Sequence, residues 1–252
     1  MKTAIITGAS SGLGAEFARQ TLAQFPEIDC FWLIARREER LHELAAELPD
    51  RKVVCLPLDL CDEASFDRLE ERLRLERPDV RLLVNNAGCG YLGNVGEAPT
   101  ELQTRMTKLN VTALTAVTSL CLPYMRAGAR IVNVSSIASF CPNPRMTVYS
   151  ATKSYVSAFT RGIREELRAK DITATAVCPG PMATEFIEVG GIRGNSRTFD
   201  RLPYCDPKKV VEGTLLSAKA GRAFYTPTAF YKFYKAVAKI MPQALMIKAT
   251  KT

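Results

Sequence analysis

Tyr149 and Lys153 stand four residues apart at the head of a helical stretch, so their side chains leave one face of a turn and reach a common point. A phenol ordinarily loses its proton near 10, too high for ready proton transfer at neutral pH, and a neighbouring ammonium favours the phenolate and lowers that value. The pair therefore suits general acid/base work on an oxygen atom. By itself the spacing carries little weight, because Tyr and Lys one helical turn apart recur by chance. His42 is the single histidine and falls in the charged stretch Arg36 to Glu47, which excludes chemistry built on histidine pairs or triads. Eight cysteines are scattered without a CxxC pair, the closest two being Cys55 and Cys61. That spacing holds no zinc, no metal is expected, and reduced, mostly buried thiols of a cytoplasmic protein are the reading adopted.

A second constellation lies near the amino end. Thr7-Gly8-Ala9-Ser10-Ser11-Gly12-Leu13-Gly14 follows a short apolar run and opens a helical stretch. Glycines let backbone approach a pyrophosphate, and a helix N-terminus supplies unpaired N–H groups and a positive dipole end. The spacing is GxxxGxG rather than GxGxxG, but the strand-to-helix context is that of a dinucleotide fingerprint. The next apolar run ends in Ala35-Arg36-Arg37, where such sites place an acid for the ribose hydroxyls. A guanidinium there suits a 2′-phosphate, which tips the expectation toward NADP(H) over NAD(H).

The elements that would hold these residues can be read from periodicity. Seven unbroken apolar runs, at 4–6, 31–34, 53–56, 82–84, 131–134, 173–177 and 223–225, read as parallel strands covered on both faces. Helical stretches at 13–25, 38–48, 63–77, 100–125, 148–170 and 207–219 connect them. The predicted fold is α/β, a single Rossmann-type doubly wound sheet, mostly parallel and seven-stranded, flanked by helices. One dinucleotide-binding unit is expected over residues 1–252. Pro181 to Pro203 lacks a period and carries Gly190, Gly191 and Gly194, which predicts a flexible substrate loop over about 181–205. A C-terminal helical extension is expected over about 228–250.

The 252 residues, 47% apolar and 24% charged, are those of an ordinary globular chain. Neither a signal peptide nor an 18-residue apolar span is visible. The net charge of +8 is dispersed and accompanies no nucleic-acid motif, so no nucleic-acid partner is expected. From Lys208 onward, however, nine Lys/Arg face a single acid, Glu212.

Over nearly its whole length the sequence resembles the classical short-chain dehydrogenase/reductase family. The resemblance rests on Thr7 to Gly14, Asp59-Leu60, Asn85-Asn86-Ala87-Gly88, Asn110, Ser135-Ser136, Tyr149-Ser150-Ala151-Thr152-Lys153 and Pro179-Gly180-Pro181-Met182-Ala183-Thr184, in family order and at family intervals. It implies an oxidoreductase interconverting a ketone or aldehyde and an alcohol. Tyr149 would be the general acid/base, and Lys153 would hold the nicotinamide ribose and lower the phenol's pKa. Asn110 would anchor a proton-relaying water. Ser136, thirteen residues before Tyr149, fits the interval better than Ser135 and would orient the substrate carbonyl. For the cofactor, Gly8, Ser11, Gly12, Leu13 and Gly14 would line the pyrophosphate, while Ser10, Arg36 and Arg37 would meet the 2′-phosphate. Asp59 and Leu60 would meet the adenine, Asn86, Ala87 and Gly88 the adenosine half, and Pro179, Gly180 and Thr184 the nicotinamide.

By the same resemblance the substrate would meet Ile137, Phe140, Met146, Met182, Phe186 and Ile187, all apolar, which favours a lipophilic ketone or alcohol. A homodimer or homotetramer is implied. In the tail, Phe230, Phe233, Tyr234, Val237, Ile240 and Met241 share one arc of a helix and Lys232, Lys235 and Lys239 the other, ending at Pro242. Packing of the apolar arc on the chain's own domain or a partner subunit is the leading reading. Peripheral membrane contact and a substrate lid are the alternatives. A non-catalytic nucleotide-sensing module would be signalled by loss of Tyr149 or Lys153, and an extended-family epimerase by different glycine spacing and a larger C-terminal domain.

Overall fold

The computed structural model describes residues 1–192 and 194–250. Arg193, within the predicted loop, and residues 251 and 252 lie outside the described residues. All seven apolar runs are strands: β1 Lys2–Thr7, β2 Cys30–Ala35, β3 Lys52–Pro57, β4 Asp79–Asn85, β5 Met125–Val134, β6 Thr173–Val177 and β7 Phe224–Tyr225. They pair in parallel in the order β3-β2-β1-β4-β5-β6-β7, so the order reverses beside β1. A ligand crevice is expected at that reversal, beyond the carboxyl ends of the strands.

The runs are unbroken because each strand is covered twice. Ala4 and Ile6 of β1 join the layer beneath α1 (Gly12–Gln24), α2 (Glu38–Ala46) and α9 (Pro207–Lys219), whereas Ile5 joins the opposite layer. That second layer lies under α3 (Ala64–Glu76), α5 (Leu114–Cys121) and α6 (Thr147–Glu166), with Trp32, Leu83, Ile131 and Ala174 inside it.

The predicted helix over 100–125 is divided. It runs as α4 (Thr100–Thr107), a π-helical turn Lys108–Ala113, α5 and a short 3-10 turn Leu122–Tyr124, after which β5 begins at Met125. The π turn coincides with Asn110, whose carboxamide Nδ2 donates to Cys89 O (2.8 Å) and Thr152 Oγ1 (3.0 Å) and whose Oδ1 accepts from Cys89 N (2.9 Å). Inserted π turns gather at functional sites, and here the turn turns the carboxamide toward the end of β4. Pro123 lacks the N–H that would continue α5.

The aperiodic stretch after β6 holds two five-residue helices, α7 (Glu185–Val189) and α8 (Arg197–Arg201), too short to leave a period in the sequence. The tail forms α10 (Ala229–Ile240) and α11 (Gln243–Ala249), broken at Pro242 as expected. Its orientation divides the apolar arc. Phe230, Phe233 and Ile240 point away from the domain, Phe233 70% and Ile240 83% exposed, whereas Tyr234 of the same arc packs against Phe140. Tyr231 is the residue α10 buries. Lys235, assigned to the solvated side, instead packs over the Phe224 ring (4.3 Å to centroid) and near Phe140 (5.7 Å).

Candidate active site

At the end of β1 the chain turns through Gly8 (φ +65°) and Gly12 (φ +51°) into α1. A Cβ on Gly14 would lie 2.1 Å from Gly8 O, and one on Gly8 2.8 Å from Asn86 Nδ2, so the turn closes only with glycine at both positions. Thr7, which opens the motif but was given no role in it, ties this turn to the end of β4. Its Oγ1 accepts from Asn86 N and Ala87 N at 3.0 Å each, and Asn86 Nδ2 donates back to Thr7 O and Gly8 O. The Asn86 side chain thus braces the turn. The N-cap residue Ser11 makes no side-chain capping bond, which leaves the first-turn N–H groups of α1 to an anionic ligand.

The cleft beyond this turn holds about 380 Å3 and runs along the carboxyl ends of β1, β2, β4, β5 and β6. Gly8, Ser10, Ser11, Gly12 and Leu13 line it at the turn, Arg36, Arg37, Asp59 and Leu60 at the outer end, and Asn86, Ala87 and Gly88 along the floor. Pro179, Gly180 and Thr184 border its inner part with Tyr149 and Lys153. Gly14 and Asn110 stand behind this wall, Gly14 against Gly8 and Asn110 against Gly88, where an added Cβ would lie 3.0 Å from its Oδ1.

The two arginines differ. Arg37 Nη2 reaches Glu185 Oε2 (2.9 Å) and Ser10 Oγ (3.3 Å), and the Glu185 carboxyl is held below its ordinary value chiefly by that hydrogen bond. Arg36 makes no hydrogen bond or ion pair among the described residues. Asp59 is 3.5 Å from Arg105, a cleft residue that nothing in the local pattern marked.

At the inner end the adjacent serines take different partners. Ser135 Oγ donates to Lys153 O (2.9 Å), within 2.8 Å of Ser157 Oγ, and thereby joins β5 to α6. Ser136 Oγ accepts from Ala138 N (3.1 Å) and lies on the Tyr149 side of the cleft, where it draws the phenol's pKa down. Lys153 Nζ donates to Val134 O (2.8 Å) and lies 5.7 Å from the Tyr149 ring centroid. Burial sets both titrations: the phenol is pushed up to about 12, against a smaller pull from Ser136, and the amine down to about 8. Burial, rather than the expected acidification by Lys153, therefore governs the Tyr149 phenol. Desolvation keeps the proton on the phenol.

Ile137, Met182, Phe186 and Ile187 line the cleft as expected, joined by Cys89, Tyr91, Phe199 and Leu202, which lie in stretches without a period. The Phe186 ring covers Tyr149 at 5.6 Å between centroids. Phe140 is placed elsewhere, against Tyr234 of α10 (6.1 Å), because its 3-10 turn faces the tail. Met146 is 1% exposed, packed with Met106, Ala138 and Ile192 beneath the cleft rather than lining it. Asn143 lines the cleft with its Oδ1 buried and unpartnered.

A doubly wound sheet with a glycine turn at its order reversal, and a Ser-Tyr-Lys set in the same cleft, defines a nicotinamide-dependent oxidoreductase. The family model for short chain dehydrogenase matches residues 2–189, and the chain belongs to the short-chain dehydrogenase/reductase family. It is 37% identical to sulfoacetaldehyde reductase 2 of Chromohalobacter salexigens over 78% of this chain and 80% of that one. It is 30% identical to a very-long-chain 3-oxoacyl-CoA reductase of Anas platyrhynchos over 74% of this chain, spanning 61% of that relative's length. Among solved structures it superposes on a short-chain dehydrogenase from Sphingobium yanoikuyae in complex with NADPH (28% identity, TM-score 0.80, 97% and 98% of the two chains). It likewise resembles a bulky-bulky ketone specific alcohol dehydrogenase from Comamonas testosteroni (27% identity, TM-score 0.75, 97% and 96% covered).

Proposed function

We propose that the chain interconverts a lipophilic ketone or aldehyde and its alcohol with NADP(H), with Tyr149 as the proton donor to the carbonyl oxygen. The observation that carries this reading is the convergence of Ser136, Tyr149 and Lys153 in one apolar-walled cleft with an unsatisfied helix N-terminus. The uncapped amides of α1, the glycine turn and the unpaired Arg36 fit a phosphorylated dinucleotide, which when bound supplies the hydride. The chain's own work is then placement and proton delivery.

Tyr149 is protonated throughout the neutral range, which suits donation to a carbonyl oxygen during reduction. Ser136 Oγ, which accepts from Ala138 N beside the Tyr149 phenol, would turn its proton to that same carbonyl oxygen and stabilise developing negative charge. Lys153, with a pKa near 8, exchanges a proton close to neutrality and is the group through which the phenol is recharged. Phe186, Ile187, Met182 and Leu202 exclude water from the transfer, and the buried, unpartnered Asn143 Oδ1 offers one acceptor to a donor group on the substrate. A homodimer or homotetramer accords with the family resemblance, a reducing cytoplasmic compartment with the free cysteines, and the retained Tyr149 and Lys153 disfavour a sensing module. Changing Tyr149 to Phe removes the proton and leaves the ring. With ketone and NADPH, kcat should fall about 10²- to 10⁴-fold at nearly unchanged NADPH affinity. Unaltered kcat would remove Tyr149 from the chemistry.

A further inference from the structure

α10 is a helix held wrong side out for a soluble surface. Tyr231, 0% exposed, inserts its ring against Gly180 and donates from its hydroxyl to Pro203 O (2.6 Å). Tyr234 rests on Phe140, and Lys235 lies over Phe224. These contacts fix the helix's rotation, and turning it to bury the opposite face would break all of them. That opposite face carries Phe230 (51% exposed), Phe233 and Ile240, which fall on one stripe at helical spacing, and Leu245 of α11 is 51% exposed beyond the Pro242 bend. Isolated exposed apolar residues are ordinary, but aromatic and aliphatic side chains aligned on an anchored helix mark an interaction surface.

Charge indicates the occupant. Lys232 and Lys239, both exposed, border the stripe on one side, and Lys248 stands exposed on α11. After Glu212 the sequence contains no acidic residue. A two-fold contact between copies would set this patch against itself and oppose lysine to lysine with no carboxylate on the tail between them. A bilayer bearing anionic headgroups offers phosphates to the lysines and hydrocarbon to the rings at the depth an in-plane amphipathic helix reaches.

We infer that α10 and α11 form an in-plane docking surface for an anionic phospholipid bilayer. No helix among the described residues is long and apolar enough to span one, so the attachment is peripheral. Because Tyr231 packs on Gly180, a cleft residue, docking brings the substrate end of the cleft toward the lipid. On the proposed lipophilic reading, that is the side from which a membrane-dissolved ketone would enter.

The test is flotation of the full chain with vesicles of phosphatidylglycerol and phosphatidylcholine, against phosphatidylcholine alone, at low and high salt and without substrate, so that it stands apart from the catalytic reading. The wild type should float with the anionic vesicles, release in high salt and ignore the neutral ones. The double variant Phe233→Ser/Ile240→Ser, altered only at exposed positions, should partition at least about tenfold less, since each residue removes apolar area from the lipid contact. Its melting temperature and sedimentation coefficient should not move. Lys232→Gln/Lys239→Gln should weaken the salt-sensitive part. A wild type that stays unbound, or binds neutral vesicles equally, overturns the inference. So does a double variant that binds as well as the wild type. A variant whose loss of binding accompanies dissociation of an oligomer also overturns it, by assigning the face to a second copy.

Discussion

Arg36 and Arg37 are adjacent, equally charged and both on the cleft, yet the structure predicts unequal roles in cofactor choice. Arg37 already spends its guanidinium on Glu185 and Ser10, while Arg36 has no partner among the described residues. A hydrogen bond from a charged donor to phosphate contributes about 1.5–3 kcal/mol, and exposure of Arg36 to solvent and salt places it at the lower end. Arg36→Leu should therefore weaken NADPH binding by about tenfold, at about 1.4 kcal/mol per factor of ten, and leave NADH, which lacks the 2′-phosphate, unaffected. Recruiting Arg37 means surrendering an exposed ion pair that holds about 0.2–1 kcal/mol. Arg37→Leu should accordingly change NADPH affinity less than Arg36→Leu. Glu185→Ala, by releasing Arg37, should tighten it by at most about fivefold. Calorimetric titration of both reduced cofactors into the wild type and the three variants, at one ionic strength, measures all of these. Equal weakening of NADH and NADPH by Arg36→Leu would show that the residue supports the fold or the adenosine rather than the phosphate. A larger loss at Arg37 would reverse the assignment.

Two other consequences concern stability. Lys153 binds a proton up to about 8 in the fold against an ordinary 10.5, so between those values the unfolded chain holds more protons and stability attributable to this residue rises with pH. Urea unfolding from pH 7 to 10 should show the wild type gaining on Lys153→Met across that window. A constant difference would mean the amine is not desolvated as the structure indicates. Tyr231→Ala removes a fully buried ring, at about 3–5 kcal/mol by analogy with other aromatic truncations, and should lower the melting temperature by about 10 °C. Tyr231→Phe, which loses only the bond to Pro203 O, should lower it by a few degrees at most, and a Tyr231→Ala variant melting like the wild type would refute the anchoring of α10.

The division between local pattern and long-range packing is plain in particular residues. Strands such as Phe31 to Ile34 were legible because a strand covered on both faces must be apolar at every position, and the glycine turn because its backbone approaches admit no Cβ. Tyr149 and Lys153 were legible because one helical turn separates them. Other choices lie beyond any local period. Ser135 and Ser136 are chemically identical neighbours, distinguished only by Lys153 and Ser157 on one side and Tyr149 on the other. The π turn at Asn110 accompanies side-chain bonds to Cys89 and Thr152, residues 21 and 42 positions away. Phe140 and Phe186 are equally apolar, and only the placement of α10 and α7 sends one to the tail and the other over Tyr149. Likewise the amphipathic pattern of α10 specifies which side chains share a face, but Tyr231 in its socket decides that Phe233 and Ile240 point away from the domain. Periodicity is a property of neighbours along the chain. What a face meets depends on segments brought in from far along it, and burial and pKa follow from that encounter.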